Sequence, residues 1–266
     1  MAIRTIFLMV EDCARLERQG WYEFVRDYAV MARALLQHYF PSLDPELDQH
    51  TLGVFQRARE NQGRWFTSLR FANEREFLMS FRELVFAYAR ENSRLPAPPV
   101  SLAQMQQVMA ELTVVEREVL WLFMKGYSAA QIAPILMNAE ATAQAVKDKA
   151  DRKLATILPD ANADSFRLSA RVLMEEAERA HGEKCLPLRT FNNLINGQIS
   201  WRERELTEQH IRDCLNCLDR YTAFQEMIRL RKDARPLPEP EIQAMLDRLG
   251  ITRPRSFFAK LLSMKA

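Results

Sequence analysis

Four side chains in the last third of this chain have the types and spacing to hold one ion: Cys185, His210, Cys214 and Cys217. The last three form a His-x3-Cys-x2-Cys run. Zinc takes sulfur and imidazole donors in closed tetrahedral sets of four, and Cys3His is one of its usual structural sets. On a helix, His210 and Cys214 stand one turn apart and share a face. Cys217 follows around the next turn, and Cys185 would come from a preceding segment folded back. A thiol redox pair at Cys214 and Cys217 competes with this reading, but such pairs sit in a βαβ setting that this sequence lacks; chance grouping is the other alternative. A catalytic zinc keeps one position open for water, whereas four protein ligands close the shell. The expected cofactor is therefore a structural Zn2+, with thiol oxidation as a route to redox sensing. Cys13 is the cysteine left over.

The elements that must position these ligands are helices. The chain has 266 residues, 48% hydrophobic and 27% charged, with only seven glycines. That length implies two or three small domains, and so few glycines suit helices better than a turn-rich β fold. A net charge of +2 says nothing by itself about nucleic acid. No apolar run reaches the roughly 18 residues of a membrane span, and the N-terminus has no convincing signal-cleavage pattern. With cysteines kept reduced for metal, the expected location is cytoplasmic.

Proline marks the boundaries. Leu95-Pro96-Ala97-Pro98-Pro99-Val100 removes backbone donors and favours extended chain, as a linker does. A softer break lies at Leu158-Pro159, and Arg235-Pro236-Leu237-Pro238-Glu239-Pro240 sets off a tail. The expected organisation is all-α: a helical bundle over 1–94, a linker over 95–100, a helix-turn-helix domain over 101–158, a linker helix with a small zinc-binding helical domain over 159–234, and a tail over 235–266. Within that tail, Phe257, Phe258, Leu261 and Leu262 make a short amphipathic helix among basic residues.

In the first domain, Trp21, Phe24, Tyr28, Met31 and Leu35 recur at helical steps, as do Phe77, Phe81, Leu84, Val85 and Tyr88. In the middle domain, Thr113 and Glu116 have capping-box spacing, and Val115, Val119, Leu122 and Phe123 form an apolar face. Gly126 can end that helix, and Ser128 caps a short second one. After a break at Met137-Asn138-Ala139 comes a longer helix through Ala143, Val146, Ala150 and Leu154. Helix, tight turn and longer helix is the arrangement that lays a recognition helix in the DNA major groove. Its first turns offer Thr142, Gln144, Lys147 and Lys149 as contacts. Upstream, Arg57, Arg59, Arg64, Trp65, Phe66 and Arg70 interleave basic and aromatic groups, as single-strand binders do.

Residues Leu112 to Leu158, through Glu116-Arg117-Glu118-Val119-Leu120, Gly126-Tyr127-Ser128 and Gln131-Ile132-Ala133, resemble region 4 of bacterial sigma factors of the extracytoplasmic-function type. Residues 10–94 are similar to region 2 through Trp21-Tyr22-Glu23-Phe24 and Val54-Phe55. Cys185, Leu194, Gly197, Glu205, His210, Cys214 and Cys217 resemble a zinc-binding anti-sigma domain. The resemblance implies a transcription initiation protein with core RNA polymerase and promoter DNA as partners. It also implies zinc on Cys185, His210, Cys214 and Cys217, and docking of the zinc module on the sigma-like domains. The alternative is a sigma-like interaction protein that sequesters a partner without reading DNA. An enzyme is not expected: no Ser-His-Asp set, phosphate loop or metal-carboxylate cluster stands out.

Overall fold

The computed structural model describes residues 5–93, 101–157, 173–179 and 182–251. Among these every regular element is a helix, so the fold is all-α. The linkers expected at 95–100 and from 159, and the amphipathic cluster at Phe257–Leu262, lie outside the described residues. Packing divides the chain into two units. One comprises residues up to Glu74, Ser80–Asn92 and the chain from Ala234; the other comprises Arg75–Met79 and Ser93–Asp233.

The first unit contains α1 (Ile6–Ala14), α2 (Arg18–Tyr39), a 3-10 turn (Pro41–Glu46), α3 (Leu47–Ser68) and the main part of α4 (Glu74–Asn92). The predicted stripe on α2 is its buried face, and Phe24 sits at the middle of an aromatic cluster. Its ring centroid lies 4.8 Å from Phe55, 5.1 Å from Phe66 and 5.8 Å from Phe81. Burying these rings against one another is what holds the helices together. Gly53 lets α3 come up against α4, since a Cβ there would fall 2.2 Å from the Tyr88 hydroxyl. Helix α3 is broken at Glu60–Gly63, where Asn61, Gln62 and Gly63 all take positive φ. The break turns the last part of α3 beside the end of α1, where a Cβ on Gly63 would meet the Cys13 carbonyl at 3.3 Å.

The third proline-rich stretch starts a docked segment. Leu237 donates its N–H to the Arg26 carbonyl at 3.1 Å, and a further helix (Glu239–Arg248) lies against α2. Ile242, Leu246, Leu249 and Ile251 are buried there. Tyr22 donates to Glu239 at 2.6 Å, and Arg18 reaches the Ile251 carbonyl and Gln243. The prolines read from the sequence as setting off a tail are followed by apolar positions at helical spacing, which pack with α2 far away in sequence.

The second unit contains α5 (Leu102–Ala110), α6 (Val114–Met124), α7 (Ala129–Ile135) and α8 (Glu140–Ile157). After these come helical residues 173–179 (α9), α10 (Leu188–Ile195), α11 (Trp201–Asp213) and α12 (Leu215–Asp233). Four of these helices begin with full capping boxes, at Ser101/Gln104, Thr113/Glu116, Ser128/Gln131 and Ser200/Glu203. Each box satisfies backbone donors that a helix start leaves open. Gly126 ends α6 at φ 96°. Met137 carries the chain from α7 to α8 at φ 53° and is 74% exposed. Val119, Leu122, Ile132, Ala133, Ile135 and Ala143 are the shared core of α6, α7 and α8.

One expectation for α6 is corrected. Val115 is 45% exposed and lies outside the core, while Leu120, Trp121 and Met124 on the other side are buried. The reason is tertiary: α11 and α12 pack on that side, so α6 is covered on two faces and must be apolar on both.

Candidate metal centre and its surroundings

Helix α11 stops at Asp213, and Cys214 is the extended residue (φ −122°, ψ 107°) that joins it to α12. Cys214 therefore stands at a break between helices, not inside one as the spacing suggested. Its N–H still bonds the His210 carbonyl at 2.9 Å, so the last turn of α11 holds both residues together. Cys217 lies in the first turn of α12 and is buried. Cys185 comes from the turn before α10, with its N–H on the Gly182 carbonyl at 2.9 Å.

These elements bring the sulfurs of Cys185, Cys214 and Cys217 within 4.8 Å of one another, close enough to hold a metal ion. Cys185 Sγ is 3.9 Å from Cys214 Sγ, and His210 Nε2 is 3.1 Å from Cys217 Sγ. Two backbone donors point at the sulfurs: Gly182 N–H at 3.4 Å from Cys185 Sγ and Leu186 N–H at 3.3 Å from Cys217 Sγ. Such donors stabilise thiolates and orient them, as the outer shell of a metal site does. Hydrogen bonding to Cys217 draws the Cys214 thiol down to about 5, against burial; Cys185 and the charge of His210 help. The same bond, with burial, pushes Cys217 up. The pair thus shares one proton with the negative charge on Cys214, and a cation in its place would let both ionise. The donor set fits a metal ion.

The cluster is anchored to its neighbours. Asn216 Nδ2 donates to the Ala177 carbonyl of α9 at 2.8 Å, and Arg220 to the Leu186 carbonyl at 3.3 Å. Phe191 of α10 packs on Tyr221 at 5.7 Å between centroids. Further along α12, polar groups reach α6 across a buried face. Lys125 Nζ lies 2.7 Å from Asp219 Oδ1, with side chains only 1% and 9% exposed. The Trp121 indole donates to the same oxygen at 2.9 Å, Lys125 also reaches Thr222 at 3.3 Å, and Tyr127 bonds Glu226. Nearby, burial pushes the Glu118 carboxyl up to about 8, aided by the charge of Glu208. No reading of α6 or α12 alone could pair these residues, because they lie about a hundred positions apart. The signal was a charged residue, Asp219, inside the apolar part of a helix.

The residues read from the sequence as DNA contacts divide into several groups. On α8, Thr142 and Gln144 are exposed, and Gln144 bonds Asp148 at 2.7 Å. Lys147 pairs with Asp151 at 2.9 Å and lies 4.5 Å from the Phe123 ring centroid. Lys149 and Lys153 both grip Glu116, at 2.8 and 2.9 Å. Burial works against Glu116 ionising, yet the two lysines and the Thr113 N–H hold it down to about 2. In the first unit Phe66 is core, not a stacking platform, because the break in α3 turns it onto Trp21 and Phe24. Trp65 is half-buried against Phe24 and Phe66. Arg57 pairs with Glu91, and the half-buried Arg59 lies beside Gly250. Arg64 and Arg70 are exposed, the latter bonding the carbonyls of Thr67 and Leu69.

No family model, curated protein or solved structure matches this chain. Among the described residues no helix is long and apolar enough to cross a membrane.

Proposed function

We propose that this protein is a sigma-factor-like transcription initiation protein whose activity is governed by a metal-bearing module in the same chain. It would bind core RNA polymerase and promoter DNA in the cytoplasm, and it is not an enzyme. The metal is Zn2+, with His210 as fourth ligand beside Cys185, Cys214 and Cys217, because three thiolates and one imidazole make a closed zinc set. The observation that carries the reading is the packing of α11 and α12, which bear the metal cluster, on α6 of a capped three-helix helix-turn-helix. A module held this way can bias that domain without dissociating, since tethering keeps it at an effective concentration of about millimolar. Loss of the ion through thiol oxidation would loosen α11 and α12 and free the far face of α6.

A second reading, sequestration of a protein partner without DNA recognition, is favoured by the state of the α8 lysines. Duplex affinity comes largely from cations that neutralise phosphates, and Lys147, Lys149 and Lys153 are engaged with Asp151 and Glu116. The deciding experiment is run-off transcription with core polymerase, using the full chain and a form ending at Leu158, alongside DNA binding across a salt series. Higher activity of the shorter form with a steep salt slope supports initiation under control in cis. Polymerase binding with no salt-dependent DNA binding supports sequestration.

A further inference from the structure

Beside the cysteine cluster, a cavity is lined by groups that the proposed function does not use. A pocket of about 520 Å³ opens between α5, the start of α6 and the junction of α11 with α12. Its charged and polar lining includes Arg117, Arg212, Gln106, Gln209, Glu111 and Asp213. Arg117 is only 3% exposed. Its Nε donates to the Leu112 carbonyl at 2.9 Å, and among the described hydrogen bonds and ion pairs none engages the two terminal nitrogens. Arg212 is half-buried and has no described hydrogen bond or ion pair from its side chain.

A buried guanidinium without a carboxylate partner is costly unless something supplies the counter-charge. Burial pulls Arg117 down to about 10; the charge of Asp213 opposes that pull and the charge of Arg212 adds to it. The two carboxylates of the lining do not fill the role. Glu111 and Asp213 are exposed to water, and Asp213 accepts a bond from Gln209 at 2.7 Å. Two guanidinium forks and two amides around one recess match the flat, multiply accepting face of an oxyanion. The volume is that of a small-molecule site.

We propose that Arg117 and Arg212 form a binding site for a small oxyanion, of the phosphate or phosphorylated-metabolite class, at the seam between α6 and α11. The ligand bridges the two helices, one arginine from each, and so fastens the metal-bearing helices to the helix-turn-helix. Arg117 supplies the desolvated charge and Arg212 the accessible one.

The test is isothermal titration of the full, metal-loaded chain with inorganic phosphate and with adenosine 5′-monophosphate at matched ionic strength, alongside thermal melting. Saturable binding of either, with a rise in melting temperature, is expected. Tighter binding of the nucleotide identifies a phosphorylated metabolite as the natural ligand; equal binding identifies the free oxyanion. Arg212→Gln, which keeps a long polar side chain at this half-buried position, should weaken binding about tenfold or more. Asp213→Asn should tighten it, because it removes a competing negative charge. Absence of binding to wild type, or equal affinity in Arg212→Gln, overturns the site.

Discussion

Replacing Asp219 by Ala should loosen α12 from α6 more than any surface change could. The substitution leaves Lys125, whose side chain is 1% exposed, as a buried cation without its carboxylate, and it takes the acceptor from the Trp121 indole. Removing one partner of a buried ion pair costs about 3–5 kcal/mol, and an orphaned buried donor adds roughly 1–3 kcal/mol. The two losses share one oxygen and will not add fully, so about 4–6 kcal/mol is expected. For a unit of this size that corresponds to a fall in melting temperature of roughly 10–20 °C. Asp219→Asn keeps an acceptor for Trp121 and loses only the charge, so it should fall between Ala and wild type. Lys125→Met with Asp219→Leu removes both charges; well-packed apolar replacements of ion pairs are close to neutral, so only the roughly 1–3 kcal/mol of the orphaned Trp121 donor should remain. Thermal melting gives the size of each effect. Hydrogen exchange read by mass spectrometry should localise it to 114–124 and 215–233, while α2 stays protected. A cost below about 1 kcal/mol for Asp219→Ala, or a double variant as unstable as the single one, would refute the idea that this pair fastens the two helices.

Metal removal should act on the same seam. Chelation, or Cys214→Ser, should cost on the order of 10 kcal/mol in the small helical module and raise exchange in α11, α12 and, through Trp121 and Lys125, in α6; elemental analysis finding no stoichiometric metal would contradict it. Glu118 sets a pH dependence: its folded-state carboxyl is raised to about 8, so the stability it contributes is complete below its ordinary pKa of about 4.5 and is lost as pH rises through 8. A melting series from pH 5 to 9 should therefore slope downward, and Glu118→Gln should flatten it. Met137→Gly should stabilise the second unit by about 1 kcal/mol, because the left-handed backbone costs a side chain that much and an exposed Met137 buries little in return; an unchanged or lower melting temperature would count against it.

What was legible beforehand depended on whether its cause was local. Capping boxes, the Gly126 stop and the apolar steps of α2 act within a few residues, so they could be read directly, and the helices stand where those signals put them. The grouping of Cys185, Cys214 and Cys217 was legible for a different reason: cysteines at coordination spacing have few other uses, although the helix break at Cys214 was hidden behind an i, i+4 interval that fits a continuous helix equally well. What could not be read was everything decided by a distant partner. The second apolar face of α6 makes sense only once α11 and α12 cover it, and the position of Asp219 in α12 could flag a buried charge but could not name Lys125 and Trp121 as its partners. The DNA-contact reading turns on the same point. Lys149 and Lys153 count as cations in the sequence, but Glu116 has already taken their charge to hold the start of α6. A basic helix earns affinity for phosphate from cations free to be neutralised. The number of lysines on α8 therefore overstates its attraction for DNA, and the salt slope of binding should follow the smaller set that carries no internal partner.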